Sequence, residues 1–335
     1  MTIFDIFTMV LGLSLFLFGM TIMGETLKRN AGHRLNAFLE KMTSSPIKGV
    51  LLGTLVTAVI QSSSATTVMV VSFVNSGGMT LYQAISVIMG ANVGTAVTSW
   101  ITALSGLENG AAIGSLMQWF KPSTFTPVIA LVGILLYMSG KHERRRDLGL
   151  ILLGFSVLMV GMDTMSDAVY GLRDNEAFKS ILLAFENPLL GLLAGMILTA
   201  IIQSSSASIG ILQSFTATGA ITFGNAVPII MGQNIGTCIT AIIASVGTSR
   251  NAKRASFVHL TFNVIGSVIG VGAFYIIRNI LKFPFLEGPI DTWGIAIVHT
   301  LFNLMTLIIL FPFIRQLERL SCAVIRDKKD ISQGN

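Results

Sequence analysis

Between Ile6 and Gly24 the chain carries no charged side chain. Coiled as a helix, a run of that length crosses roughly 30 Å of hydrocarbon. Comparable runs occupy Gly49–Trp100, Thr124–Gly140, Leu148–Tyr170, Leu189–Gly247, Ala255–Ile277 and Thr292–Ile314, interrupted mainly by Asp163, Asp167, His259 and His299. Only 11% of the 335 residues are charged and the mean hydropathy is +0.75, whereas a water-facing domain devotes about 25% of its residues to charge. A surface so poor in charge must face lipid. The reading is an all-α, multi-pass integral membrane protein. No basic segment precedes the first run, which is too long for the core of a removable signal, so it is expected to stay as a span.

The formal net charge of +6 does not point to nucleic acid. The basic residues gather at Lys28–Lys48, Lys141–Arg146, Arg250–Arg254 and Arg315–Lys329, between or after the apolar runs. Such clusters mark the cytoplasmic face of a span beside anionic lipid, here that of the inner cell membrane. Cys238 sits inside an apolar run and Cys322 in the basic tail, so no disulfide is expected between them.

An internal duplication organises the chain. Shifted by about 142 residues, Gly49–Thr98 falls on Gly191–Thr240 without a gap, and Leu11–Met20 falls on Leu153–Met162. TAVIQSSSATT at Thr57–Thr67 meets TAIIQSSSASI at Thr199–Ile209, and VIMGANVGTAVT at Val87–Thr98 meets IIMGQNIGTCIT at Ile229–Thr240. From Pro46 to Thr98, 24 of 53 aligned positions are identical. Shared apolar composition explains common Leu and Ile. It does not explain two rare polar clusters in one register.

The loop charges orient the copies. Lys28, Arg29, Arg34, Lys41 and Lys48 follow the opening helix of the first copy, whereas Arg173, Asp174, Glu176, Lys179 and Glu186 follow that of the second. The first end reads as inside, the second as outside. The expected fold is two inverted-topology repeats, the arrangement that sets transporter sites at the bilayer midplane. Residues 1–142 form the first repeat, 143–314 the second with two additional C-terminal spans, and 315–335 a cytoplasmic basic tail. Seven spans are expected, with Pro46–Asn75 and Pro188–Ala217 as re-entrant helical hairpins.

Four motifs carry the candidate chemistry. Gln61-Ser62-Ser63-Ser64 and Gln203-Ser204-Ser205-Ser206 place an amide and three hydroxyls in hydrocarbon, where unsatisfied polar groups are costly. If a second half-helix starts at the serines, free N–H groups, a positive dipole end and hydroxyls converge as an anion site without arginine; small-residue packing is the competing use. Gly90-Ala-Asn92-Val-Gly94-Thr95 and Gly232-Gln-Asn234-Ile-Gly236-Thr237 carry glycines costing about 1 kcal/mol each in a helix. Unwinding there, giving broken transmembrane helices, would free carbonyls beside Asn92, Asn234, Thr98 and Thr240 for a hard cation such as sodium; close helix packing is the alternative. Asp163, opposite Thr21 in the repeat, is either a further cation ligand or a carboxylate at the outer interface. His259/Asn263 and His299/Asn303 lie at i, i+4 and read as interhelical hydrogen-bonding pairs rather than metal ligands. No zinc-protease HExxH, phosphate loop or cysteine cluster marks an enzyme.

With its paired QSSS and paired GxNxGT segments, the chain resembles the sodium-dependent phosphate cotransporter family, the type II kind of animals and bacteria. The resemblance runs from Leu11 to about Pro312. It implies inorganic phosphate as substrate and sodium as the coupling ion, with no other metal and no cofactor. It places Gln61, Ser62, Ser63, Ser64, Gln203, Ser204, Ser205 and Ser206 at the substrate and sodium site, and Thr66, just beyond the first motif, is expected among the substrate-side residues. Asn92, Thr95, Thr98, Asn234, Thr237, Thr240 and Asp163 are the expected sodium-side residues. Assembly as a homodimer is compatible with it. The soluble helical domain of many bacterial relatives and the long central loop of animal members are not expected here. The rival readings are carriage of another oxyanion, phosphate export, or a non-transporting membrane sensor.

Overall fold

The computed structural model describes residues 3–42, 45–109, 122–139, 142–172, 175–185, 187–281 and 284–326. These residues are almost wholly helical, in the order α1 (Ile3–Met42), α2 (Pro46–Ile60), α3 (Ser63–Asn75), α4 (Leu81–Ala103), α5 (Pro122–Ser139), α6 (Glu143–Tyr170) and α7 (Glu176–Ala184), then α8 (Pro188–Ile202), α9 (Ser205–Phe215), α10 (Phe223–Ala244), α11 (Arg250–Leu281), α12 (Thr292–Leu310) and α13 (Ile314–Val324). Among the loop charges used above, Lys141, Arg173, Asp174, Glu186 and the tail beyond Arg326 lie outside the described residues.

Among the described residues, six segments are long and apolar enough to cross a membrane: Ile3–Asn30, Leu81–Gly106, Glu143–Tyr170, Phe223–Ala244, Arg250–Ile280 and Thr292–Val324. Many large apolar side chains on them point outward, among them Phe4, Phe7, Leu11, Val268 and Ile308. The chain is a multi-pass membrane protein. The expected seventh span corresponds to α5, whose apolar part, Thr124–Ser139, is shorter than those six.

Local sequence explains where the short helices begin and end. Ser45 accepts a hydrogen bond from the Lys48 N–H at the start of α2, with Pro46 in the first turn. Asn187 and Pro188 do the same for α8. Proline fits there because its missing N–H would have had no helical partner. Both helices stop at glutamine: Gln61 has φ 60° and Gln203 φ 57°, and no other non-glycine described residue has positive φ. The left-handed region costs a side-chain-bearing residue about 1 kcal/mol or more. The following serine compensates locally. Ser62 Oγ accepts from Ala65 N and Ser204 Oγ from Ala207 N, so α3 and α9 start two residues after each glutamine. Each of these helix–turn–helix hairpins is held by a buried hydroxyl pair, Thr57 donating to Thr66 Oγ1 at 3.0 Å and Thr199 donating to Ser208 Oγ at 2.9 Å. At 15 residues, α2 and α8 reach about 22 Å.

The expected broken helices at the GxNxGT segments do not form. α4 and α10 run as continuous α-helix through Gly90–Thr98 and Gly232–Thr240. The glycines serve close packing instead. A methyl group on Gly90 or Gly94 would overlap the carbonyls of Val50 or Thr54 on α2, and one on Gly232 or Gly236 those of Leu192 or Met196 on α8. Thr54 Oγ1 uses that proximity to donate to the Gly90 carbonyl at 3.0 Å. Keeping the helical hydrogen bonds and adding tight interhelical contact outweighs the glycine penalty in a site without water.

The opening helices of the two copies pack on each other. A methyl on Gly12 would meet Met165 and the Gly161 carbonyl, while one on Gly19 would meet Leu158 and the Gly154 carbonyl. Ascending α1 therefore means descending α6: the equivalent segments are antiparallel. Gly12 corresponds to Gly154 and Gly19 to Gly161, so the two contacts exchange under a local twofold relation. Arg29 and Asp147 form an ion pair at one end of this helix pair. Around it, the α2–α3 hairpin shares a core with α4, α11 and α13 (Leu52, Val70, Ile85, Phe262, Leu317), while α9 joins α1 and α6 through Phe16, Met159, Met162 and Ala207.

Candidate functional site

The two glutamine–serine tips lie against one cavity of about 390 Å³. Its wall is made by Ile60–Ala65, by Gln203–Ser206 and by one face of α1: Leu17, Met20, Thr21, Gly24, Glu25 and Lys28. All eight residues of the two QSSS segments line it, although they come from separate halves of the chain.

The tips set the electrostatics. The first N–H groups of a helix lack intrahelical partners and carry about +0.5 charge in total. At α3 and α9 the serine caps bind the N–H of Ala65 and Ala207, which leaves those of Ser63, Ser64, Ser205 and Ser206 at the cavity wall. The carbonyl ends of α2 and α8 meet the same tips. One small space therefore offers N–H and hydroxyl donors to an anion beside carbonyl and hydroxyl oxygens for a cation.

Thr66 does not line the cavity. It is fully buried, donating to the Ser62 carbonyl at 3.0 Å and accepting from Thr57. The asparagines and threonines of α4 and α10 also lie behind the tips. Asn92 Nδ2 donates to the Ile88 carbonyl at 3.0 Å and Asn234 Nδ2 to that of Ile230 at 2.9 Å. Thr95 donates to the Ala91 carbonyl at 3.1 Å and Thr237 to that of Gln233 at 2.9 Å. Thr98 reaches a tip directly, donating to Gln61 Oε1 at 3.0 Å. Its counterpart Thr240 donates instead to the Thr237 carbonyl at 2.9 Å. Asp163 is half-buried on α6, outside the cavity wall.

Sequence reasoning did not select Glu25 and Lys28, both exposed at the cavity's edge, because charge at a helix end reads as a solvated loop flank. It also missed the bracing pairs Thr57–Thr66 and Thr199–Ser208; their signal was present in the threonine shared by TAVIQSSS and TAIIQSSS. Of the two His–Asn pairs, His299 makes the expected interhelical contact, with Nδ1 3.2 Å from Ser99 Oγ on α4. The ring of His259 has no hydrogen-bond partner among the described residues.

Helical hairpins whose polar tips meet at a cavity within a multi-pass bundle are the architecture of a membrane transporter site. The comparisons with known proteins agree. The model of the Na+/Pi-cotransporter family matches residues 15–167 and 168–286, and the chain belongs to that family. YqeW of Bacillus subtilis, an uncharacterized protein, is 30% identical over 326 residues, which covers 91% of this chain and 93% of YqeW. YjbB of Escherichia coli, named as a proposed inorganic phosphate export protein, is 25% identical over 95% of this chain and 55% of its own length. Sodium-dependent phosphate transport protein 2A of Rattus norvegicus is 33% identical over 131 residues, 36% of this chain and 19% of that protein. This chain thus spans about half the length of YjbB and a fifth of the rat protein. No solved structure matches it.

Proposed function

We propose that the chain carries inorganic phosphate with sodium across the inner cell membrane by alternating access, with the two QSSS tips as the substrate site. The observation that carries this is the convergence of both tips, and of two helix N-termini, on one cavity. A phosphate entering it exchanges hydration water for the N–H and hydroxyl donors of Ser63, Ser64, Ser205 and Ser206, with Gln61, Ser62, Gln203 and Ser204 shaping the tips. Moving a bare anion across a dry barrier is costly. Sodium ions beside it neutralise the load, held by the α2 and α8 carbonyl ends and by Asn92, Thr95, Thr98, Asn234, Thr237 and Thr240 from behind the tips. These neutral oxygens suit a hard cation. Antiparallel α1 and α6 and the opposite loop charges after them support an inverted repeat with the short hairpins entering from opposite leaflets. The cavity then opens at the Lys28 end of α1, the cytoplasmic side. The protein moves its substrate chemically unchanged.

Radiolabelled phosphate uptake into proteoliposomes tests this reading. Uptake is expected to rise with an inward sodium gradient and to resist unlabelled sulfate. Uptake indifferent to sodium would remove the coupling. Export is a second reading, favoured by the likeness to YjbB over 95% of this chain. Preloading the vesicles with phosphate and imposing an outward gradient measures that direction.

A further inference from the structure

The two halves repeat in sequence but do not stand in the same state. In the first half the tip is docked on its scaffold helix: Gln61 is buried, its Oε1 accepting from Thr98 on α4 and its Nε2 donating to the Ala58 carbonyl. In the second half Gln203 is exposed to the cavity, and its side chain has no hydrogen-bond partner among the described residues. Thr240, which occupies the position of Thr98, turns back to the Thr237 carbonyl. The opening helices differ in the same sense. α9 is packed on α6, where Met159 and Met162 are fully buried, and Gly210 faces both Phe16 and Met162. The equivalents of those methionines, Leu17 and Met20 on α1, line the cavity instead, with the tip of α3 across it.

Resting on the transport reading above, we infer that Thr98 and Thr240 are a matched pair of positioning residues that hold one glutamine tip at a time. Docking a tip draws its second helix, α3 or α9, off the opening helix and opens the cavity on that side, while α2 stays on α1 with the Ile60 carbonyl against Gly24. The structure is the state with Gln61 docked and with Leu17 and Met20 of α1 open to the cavity. In the opposite state Gln203 docks on Thr240, Gln61 leaves Thr98, α3 closes on α1 and α9 lifts from α6. The wall then passes from Leu17, Met20, Thr21 and Glu25 to Met159, Met162, Asp163 and Asp167. This exchange replaces a hydroxyl and a glutamate beside Lys28 with two aspartates, so the outer mouth attracts cations more strongly than the inner one. Asp163, outside the cavity here, acquires a place at the mouth.

The test reads conformation without using phosphate or sodium. In full-length Cys322→Ser protein in proteoliposomes, Met20→Cys and Met162→Cys report on equivalent positions, labelled by a membrane-impermeant thiol reagent from either face. Met20→Cys is expected to label from the Lys28 side and Met162→Cys only slowly from the other. Thr98→Val should raise labelling at Met162→Cys and lower it at Met20→Cys, the ratio of the two rates shifting about five-fold, the change in population ratio that one buried hydrogen bond supplies. Thr240→Val should do the reverse, and Thr98→Ser should restore the starting rates. Met159→Cys replaces Met162→Cys if that variant does not fold. Equal or same-direction changes in the two valine variants would overturn the exchange. Because transport is not read, an exchange seen without sodium-driven phosphate uptake would sink the transport reading alone. Uptake without the exchange would sink only this inference.

Discussion

The glutamine–serine tips and the glycine–asparagine segments are both polar interruptions of apolar helix, and each occurs twice, yet only the first breaks the helix. At Gln61 and Gln203 the chain turns through the left-handed region and restarts at once on a serine cap. At Gly90–Thr98 and Gly232–Thr240 it continues as helix with a neighbouring backbone pressed against the glycines. In hydrocarbon a helix ends where the next residues satisfy the freed N–H groups themselves. Glycine lowers helix propensity but offers no replacement partner, so packing decides its role.

The most severe way to break this comparison is to fill the glycine contacts. Gly90→Ala and Gly232→Ala place a methyl into a carbonyl of α2 or α8 and are expected to destabilise the protein by about 3 kcal/mol, an overpacking cost. Thermal unfolding in detergent measures it. Unchanged stability with a loss confined to sodium dependence would return the glycines to a role in unwinding. Next come the serines that face the cavity. Ser63→Ala and Ser205→Ala each remove a hydroxyl donor to an anion and should weaken phosphate binding at least ~10-fold, the scale of a hydrogen bond to a charged group. Equilibrium binding of labelled phosphate to purified protein checks this. Unaltered binding would make them packing residues.

Smaller effects sharpen the contrast within a tip. Ser62→Ala and Ser204→Ala remove the caps of α3 and α9 and should cost about 1 kcal/mol of stability, with a smaller change in phosphate binding than the neighbouring serines produce. A cap variant that abolished binding while keeping stability would reverse the two roles. The smallest effect separates the two glutamines. Gln203→Gly relieves a left-handed residue and should be neutral or stabilising by about 0.5 kcal/mol. Gln61→Gly gains the same relief but loses its bond to Thr98 and should come out destabilising. The difference in melting temperature between the two variants is the readout, and equal values would show that docking of Gln61 adds nothing.

Much of the site was legible because polar groups in lipid have few permitted uses. The register between TAVIQSSSATT and TAIIQSSSASI predicts equivalent positions, and the serine caps follow from the need to satisfy a helix start. Less could be read about Thr66, whose hydroxyl looks the same in sequence whether it faces a cavity or braces a hairpin against Thr57. Glu25 and Lys28 were hidden for another reason. They belong to the wall only because the tips approach that face of α1. Asp163 stood out as an intramembrane carboxylate, yet it lies on α6 outside the cavity wall, because the tips approach the face of α1 instead.

By itself the sequence determined a membrane-embedded helical chain, its duplication, the residues of the two tips and the places where their helices start, because each follows from short-range hydrogen-bond needs and from the exclusion of water. Tertiary structure alone decided that the glycine segments stay helical, that both tips share one cavity, and that Gln61 is docked while Gln203 is not. Those outcomes depend on which backbone lies against which, and a chain of two matching halves holds no local signal for choosing between them.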